Sequence, residues 1–206
     1  MNKKNFISAC ILISFLFGGL GTGIAQENKK SGKIGLYFAS FGVNEIFTFE
    51  SLDGSGSYKN DNFFTLGVNY LHSLNKRIAI ETGVEYSKHN VKIQPAFTGE
   101  GVDYSDRKES FKLISVPVVA NVYFGKYIFA NGGIILDFDI SGSNSIDKQT
   151  GMGTILGIGA KYDFESGVSA YLNPYFKLHT LVPFSSERYH QRVWESGIKL
   201  GITCSL

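Results

Sequence analysis

The residues from Trp194 to Leu206 alternate in hydrophobicity. Trp194, Ile198, Leu200, Ile202, Cys204 and Leu206 share one parity, and Glu195, Gly197, Lys199, Gly201, Thr203 and Ser205 share the other. Successive side chains of a β-strand point to opposite faces, so a period of two predicts a strand with one apolar and one polar face. A helix would need apolar residues three and four apart, and Gly197 and Gly201 would weaken its interior. The segment reads as the closing strand of a barrel whose apolar face meets lipid.

Seven more segments carry the same pattern. The first, 33–49, has Ile34, Leu36 and Phe38 on one parity, but Tyr37, Phe41 and Val43 blur its register. The second, 61–74, sets Phe64, Leu66, Val68 and Tyr70 against Thr65, Gly67, Asn69 and Ser73. The third, 77–93, sets Ile78, Ile80, Val84 and Tyr86 against Ala79, Glu81, Gly83, Glu85 and Ser87. Strands at 111–124, 127–140, 151–164 and 168–181 follow, with Val118, Ile134, Ile158 and Leu172 typical of their apolar faces. Pro117 and Pro174 fall inside strands. A closed sheet has no edge to excuse a missing donor, so a bulge or irregular ladder is expected at each.

The connections alternate between long and short. Tight turns at Asn75, Gly125 and Glu165–Gly167 separate polar loops at 50–60, 94–110, 141–150 and 182–191. Eight strands with this rhythm predict an all-β protein: an eight-stranded antiparallel up-and-down transmembrane β-barrel with short periplasmic turns and longer extracellular loops. The rival is a soluble, lipocalin-like binding barrel in the periplasm, with its apolar residues inside. The polar face favours lipid outside. It holds Gly67, Gly83, Gly133, Gly157, Gly159, Gly197 and Gly201, which suit a narrow filled interior better than a solvated surface. Aromatic residues on the apolar parity collect near strand ends, Phe64, Tyr86, Phe138 and Trp194 at one end and Phe124, Tyr162 and Phe164 at the other, as in interfacial girdles.

The beginning of the chain departs from this pattern. Lys3 and Lys4 precede an apolar run from Phe6 to Leu20, followed by Gly21 to Gln26. A basic start, a short apolar core and small residues predict a secretory signal peptide over 1–26 and a barrel domain over 27–206. The run is too short for a spanning helix, which needs roughly 20 residues. Of the 20 basic residues only Lys3 and Lys4 would leave with the signal, and none of the 18 acidic ones would. The remaining chain is near neutral, which excludes a basic field for nucleic acid. Of two cysteines, Cys10 lies in the signal and Cys204 remains alone, so no disulfide within the domain is expected.

The stretches Ile78 to Tyr86, Leu113 to Asn121 with Pro117 inside it, and Leu156 to Ala160, together with Ala25-Gln26, resemble the PorT-like outer-membrane β-barrel family of Bacteroidetes. The resemblance spans the domain and implies a Gram-negative outer-membrane barrel, without implying a particular activity. The partners expected are outer-membrane lipid, the barrel-assembly machinery, and an extracellular ligand or protein met through the loops.

Charges of both signs lie on the polar parity. Glu81, Glu85, Asp137, Asp163 and Glu195 against Lys161, Lys177 and Lys199 predict a lumen charge network, since buried charges need partners. Glu81 and Glu85 share one face of the third strand, and one or more of the three lysines is expected to bridge Glu81 or Glu85 across the lumen. No catalytic constellation stands out, and no cofactor is expected. His89 and His179 are read as interior or rim residues bonded to neighbours, rather than as parts of an outer-membrane lipid-modifying enzyme. The four histidines, His72, His89, His179 and His190, are scattered without metal-ligand spacing. The function expected is structural, or binding through the outer loops, with a filled lumen and no catalysis.

Overall fold

The computed structural model describes residues 32–47, 57–94, 107–142, 146–185 and 190–206. The expected signal peptide, 1–26, lies outside the described residues, as do 48–56, 95–106, 143–145 and 186–189 of the longer connections. The strands are β1 (Gly32–Phe47), β2 (Ser57–Ser73), β3 (Ile78–Gln94), β4 (Arg107–Phe124), β5 (Ile128–Asp139), β6 (Gly151–Asp163), β7 (Val168–Pro183) and β8 (Arg192–Ser205). Each pairs antiparallel with its neighbours, and β8 pairs with β1, closing the barrel. The short connections gather at one end, called here the turn end; the long ones gather at the loop end. Asn75 shapes the first turn by accepting from the amides of Arg77 and Ile78 at 2.8 and 2.9 Å. Gly125 and Gly167 supply the positive φ of the other two, at 71° and 83°.

The apolar parity faces outward on every strand. Leu36, Val68, Val84, Val118, Ile134, Ile158, Leu172 and Ile202 are all exposed. The inward parity holds nearly all the buried polar and charged groups, among them Glu85, Asp137, Lys177 and Glu195. A barrel dissolved in water would reverse this, so the lipocalin-like alternative fails on the direction of its side chains. The molecule is a transmembrane barrel, whose outer surface is solvated by hydrocarbon and whose backbone groups are satisfied within a closed sheet. Outward aromatics pair near both ends: Phe64 with Tyr86 and Phe176 with Trp194 toward the loops, Tyr127 with Tyr162 and Tyr162 with Phe164 at the turns.

The blurred register of β1 has a local cause. The β1–β8 ladder shifts between Ser40 and Val43, where Phe41 adopts a φ of 60°. The extra residue flips the parity, so Tyr37 points into the lumen while Val43, of the same parity, points out. Further shifts occur in β2 between Asn60 and Phe63, and opposite Met152 to Thr154 in β7, where Thr180 has a φ of 52°. No bulge forms at either proline. The β3–β4 register is the same at Thr82–Val118 and Glu85–Ser115, and the β6–β7 register the same at Gly157–Tyr175 and Ala160–Leu172. The ladders simply lose pairs beside Pro117 and Pro174, since a missing donor removes a bond without adding a residue.

The lumen glycines make room for rings on adjacent strands. A Cβ on Gly67 would lie 2.1 Å from the Tyr37 ring, and one on Gly201 would lie 2.4 Å from that of Tyr171. The interior is also less uniformly polar than the sequence suggests. Ala39, Phe63, Val119, Ile135, Ile155 and Tyr175 form one apolar cluster, and Ile46, Val91, Phe111, Leu113, Ile146 and Val193 form another. The second cluster draws on the last residues of β1 and β3 and the first of β4 and β8, so it lies toward the loop end.

Candidate functional site

The loop-side half of the lumen holds a buried ionic network. Lys177 of β7 donates to Glu85 of β3 and lies 3.8 Å from Oε1 of Glu195 on β8. Lys199 of β8 lies 3.9 Å from the other oxygen of Glu85 and 4.4 Å above the Tyr37 ring. The Tyr175 hydroxyl donates to Oε1 of Glu195 at 2.5 Å. These charges are almost wholly removed from solvent. Their mutual contacts and the added hydrogen bonds offset part of a desolvation cost of several kcal/mol per ion.

Two histidines join this network from opposite sides of the barrel. His179 bonds through Nδ1 to Asp137 at 2.9 Å, and Asp137 also accepts from Ser115 at 2.6 Å. His89 stacks on Phe111 with ring centroids 4.6 Å apart, and its Nε2 lies 3.1 Å from the Ser87 hydroxyl. The two imidazoles meet edge to face at 5.6 Å, and Oε2 of Glu195 lies 3.4 Å from His89 Nε2 and 3.7 Å from His179 Nε2.

The turn-side half is organised differently. Glu81 accepts from Asn69 and Asn121, each at 3.0 Å. Asp163 takes hydrogen bonds from Lys161 at 2.6 Å, Lys33 at 2.8 Å and Ser169 at the rim. Between these groups is a cavity of about 40 Å³, lined in part by Glu81, Asn121, Asn173, Tyr171 and Lys199. It is large enough for water, which needs roughly 10–15 Å³, and too small for an organic ligand.

The structure thus places Glu85, Asp137, Lys177, Glu195 and Lys199 in or against one cluster and divides the remaining predicted residues. No lysine bridges Glu81; two asparagine amides hold it, because they reach it from the adjoining strands β2 and β4. Lys161 does not reach Glu81 or Glu85, because Asp163, two residues away on the same face, takes its ammonium. The histidines are scattered in sequence but not all apart in space. His89 and His179 converge with Glu195, because β3 and β7 face each other across the bore. Tyr175, Asn69 and Asn121 were missed as members; their inward parity was the available signal. The partners of such polar side chains follow from register across strands, which a single strand's pattern does not encode.

The barrel is similar to OprG from Pseudomonas aeruginosa, with a TM-score of 0.55 at 11% identity over 86% of this chain and 97% of that one. The fold is that of an outer-membrane β-barrel. Weaker likenesses are to Ail of Yersinia pestis in complex with the heparin analogue sucrose octasulfate (TM-score 0.44, 16% identity, 84% of this chain and 97% of that one) and to AlkL in lipid bilayers (TM-score 0.43, 13% identity, 90% and 96%). No family model matches the sequence, and no curated protein matches it.

Proposed function

We propose that the protein is an outer-membrane barrel with a filled lumen, serving a structural role or binding partners through its extracellular loops, without catalysis. One observation carries this reading: outward side chains are apolar on all eight strands, while the bore is packed with paired charges and rings. A bore filled in this way offers no passage, and its histidines are engaged with carboxylates and rings inside it, away from the lipid face where a lipid-modifying enzyme would act. Contact with other molecules then falls to the longer connections. The segment Asp103 to Glu109 is rich in charge, with Asp103, Asp106, Arg107, Lys108 and Glu109 within seven positions of the sequence. Export through a cleaved signal over 1–26, insertion by the barrel-assembly machinery and kinship with PorT-like barrels belong to the same reading; the kinship rests on the stretches Ile78 to Tyr86, Leu113 to Asn121 and Leu156 to Ala160.

Membrane fractionation with electrophoresis of unboiled samples tests it. The protein is expected in the outer membrane, shifting in mobility on boiling. A soluble periplasmic protein with no heat-dependent shift would overturn the reading.

A further inference from the structure

We infer that His89, His179 and Glu195 form a site inside the barrel for one divalent transition-metal ion of the zinc class, which would staple β3, β7 and β8 together. One ligand atom from each of the three residues lies within 4.8 Å of the others. Two of the separations, 3.4 and 3.7 Å, approach the spacing between donors around a tetrahedral zinc, where metal–nitrogen bonds of roughly 2.0–2.1 Å put donors about 3.4 Å apart. Two imidazoles and a carboxylate suit zinc-class ions, whereas calcium and magnesium prefer oxygen alone. A water or the Ser87 hydroxyl can complete the shell.

The surrounding bonds aim the ligands. Asp137 binds Nδ1 of His179, which fixes the proton there and leaves Nε2 as a lone pair facing Glu195. Tyr175 and Lys177 lie on Oε1 of Glu195, which leaves Oε2 for the imidazoles. His179 Nε2 and Glu195 Oε2 are both buried and make no hydrogen bond. Two acceptors facing each other at 3.7 Å repel unless a proton or a metal cation lies between them. A carboxylate–histidine pair behind the ligating nitrogen is the arrangement that orients metal-bound histidines.

The local charge also favours a cation. Among the described residues the buried carboxylates of the loop-side half are Glu85, Asp137 and Glu195, and its buried ammonium groups are Lys177 and Lys199. Three negative charges against two positive leave this half of the lumen net negative while both imidazoles are neutral.

The test is refolding of the full chain from urea into detergent with Zn²⁺ or Co²⁺, followed by desalting and metal analysis of the folded, heat-modifiable fraction. One ion per chain is expected, with the visible bands of low-symmetry Co²⁺. His89→Gln with His179→Gln should abolish uptake, as should Glu195→Gln alone. His72→Gln with His190→Gln should retain it. Asp137→Asn, which keeps the ligands but loosens the orientation of His179, should weaken binding roughly 10–100-fold. Folded wild-type barrel without stoichiometric ion would overturn the site, whether or not the variants fold. Loss of the ion in the His72 and His190 variant, with retention in the His89 and His179 variant, would overturn it equally. Neither outcome bears on where the barrel resides in the cell.

Discussion

Lys177 on β7 donates to Glu85 on β3, and in a ring of eight strands β3 and β7 are diametrically opposed. Their bond is a tie across the bore. Removing one partner leaves a buried charge without its counterion, so Glu85→Ala or Lys177→Met should each cost about 3–5 kcal/mol. The double variant should cost less than the sum, with a coupling of roughly 0.5–3 kcal/mol. Reversible urea unfolding in lipid vesicles measures all three.

Glu81 gives a contrasting expectation. It is held by Asn69 and Asn121, so Glu81→Ala combined with Lys177→Met should be additive to within about 0.3–0.5 kcal/mol. A larger coupling in the same unfolding assay would show that the two halves of the lumen act as one network.

The glycine–ring contacts predict a steric effect. Gly67→Ala places a methyl 2.1 Å from the Tyr37 ring and should cost about 1–3 kcal/mol through overpacking. Tyr37→Leu should recover part of that loss in the Gly67→Ala background. Unfolding midpoints of the two single variants and the pair decide it.

The lipid face predicts a dependence on depth. Leu36 pairs with Val68 and Ile202 in an outward apolar row, and Leu36→Arg there should cost roughly 2–4 kcal/mol. Phe164→Arg, at the turn end, should cost only about 0–1 kcal/mol. Equal effects at the two positions would contradict the assigned span.

Purified barrel in planar bilayers should show no stable large conductance. Eight strands leave room for side chains only, and the loop-side cluster of Phe111, Leu113, Ile46, Val91, Ile146 and Val193 fills the bore there. Reproducible openings of porin size would require that cluster to leave.

The strands, their number and their outward faces were legible because each depends on a period of two within one segment. The strand ends moved by up to four residues: β2 starts at Ser57 against an expected 61, β4 at Arg107 against 111, and β8 at Arg192 against Trp194. What escaped depends on geometry between segments. Tyr37, Phe41 and Val43 read as noise in β1 until the bulge between Ser40 and Val43 shows the parity changing there. Pro117 suggested a bulge, yet the sheet tolerates it by losing ladder pairs. His89 and His179 are 90 positions apart in the sequence, and only closure of the ring brings them to one point.

The ionic cluster draws its members from β3, β5, β7 and β8, so a growing sheet cannot neutralise itself strand by strand. Before β7 arrives, Glu85 has no Lys177; before β8, Lys177 has no Glu195. Any incomplete sheet leaves some of these charges without the counterions that the closed ring supplies. The buried charges therefore favour the complete cylinder over a partial one.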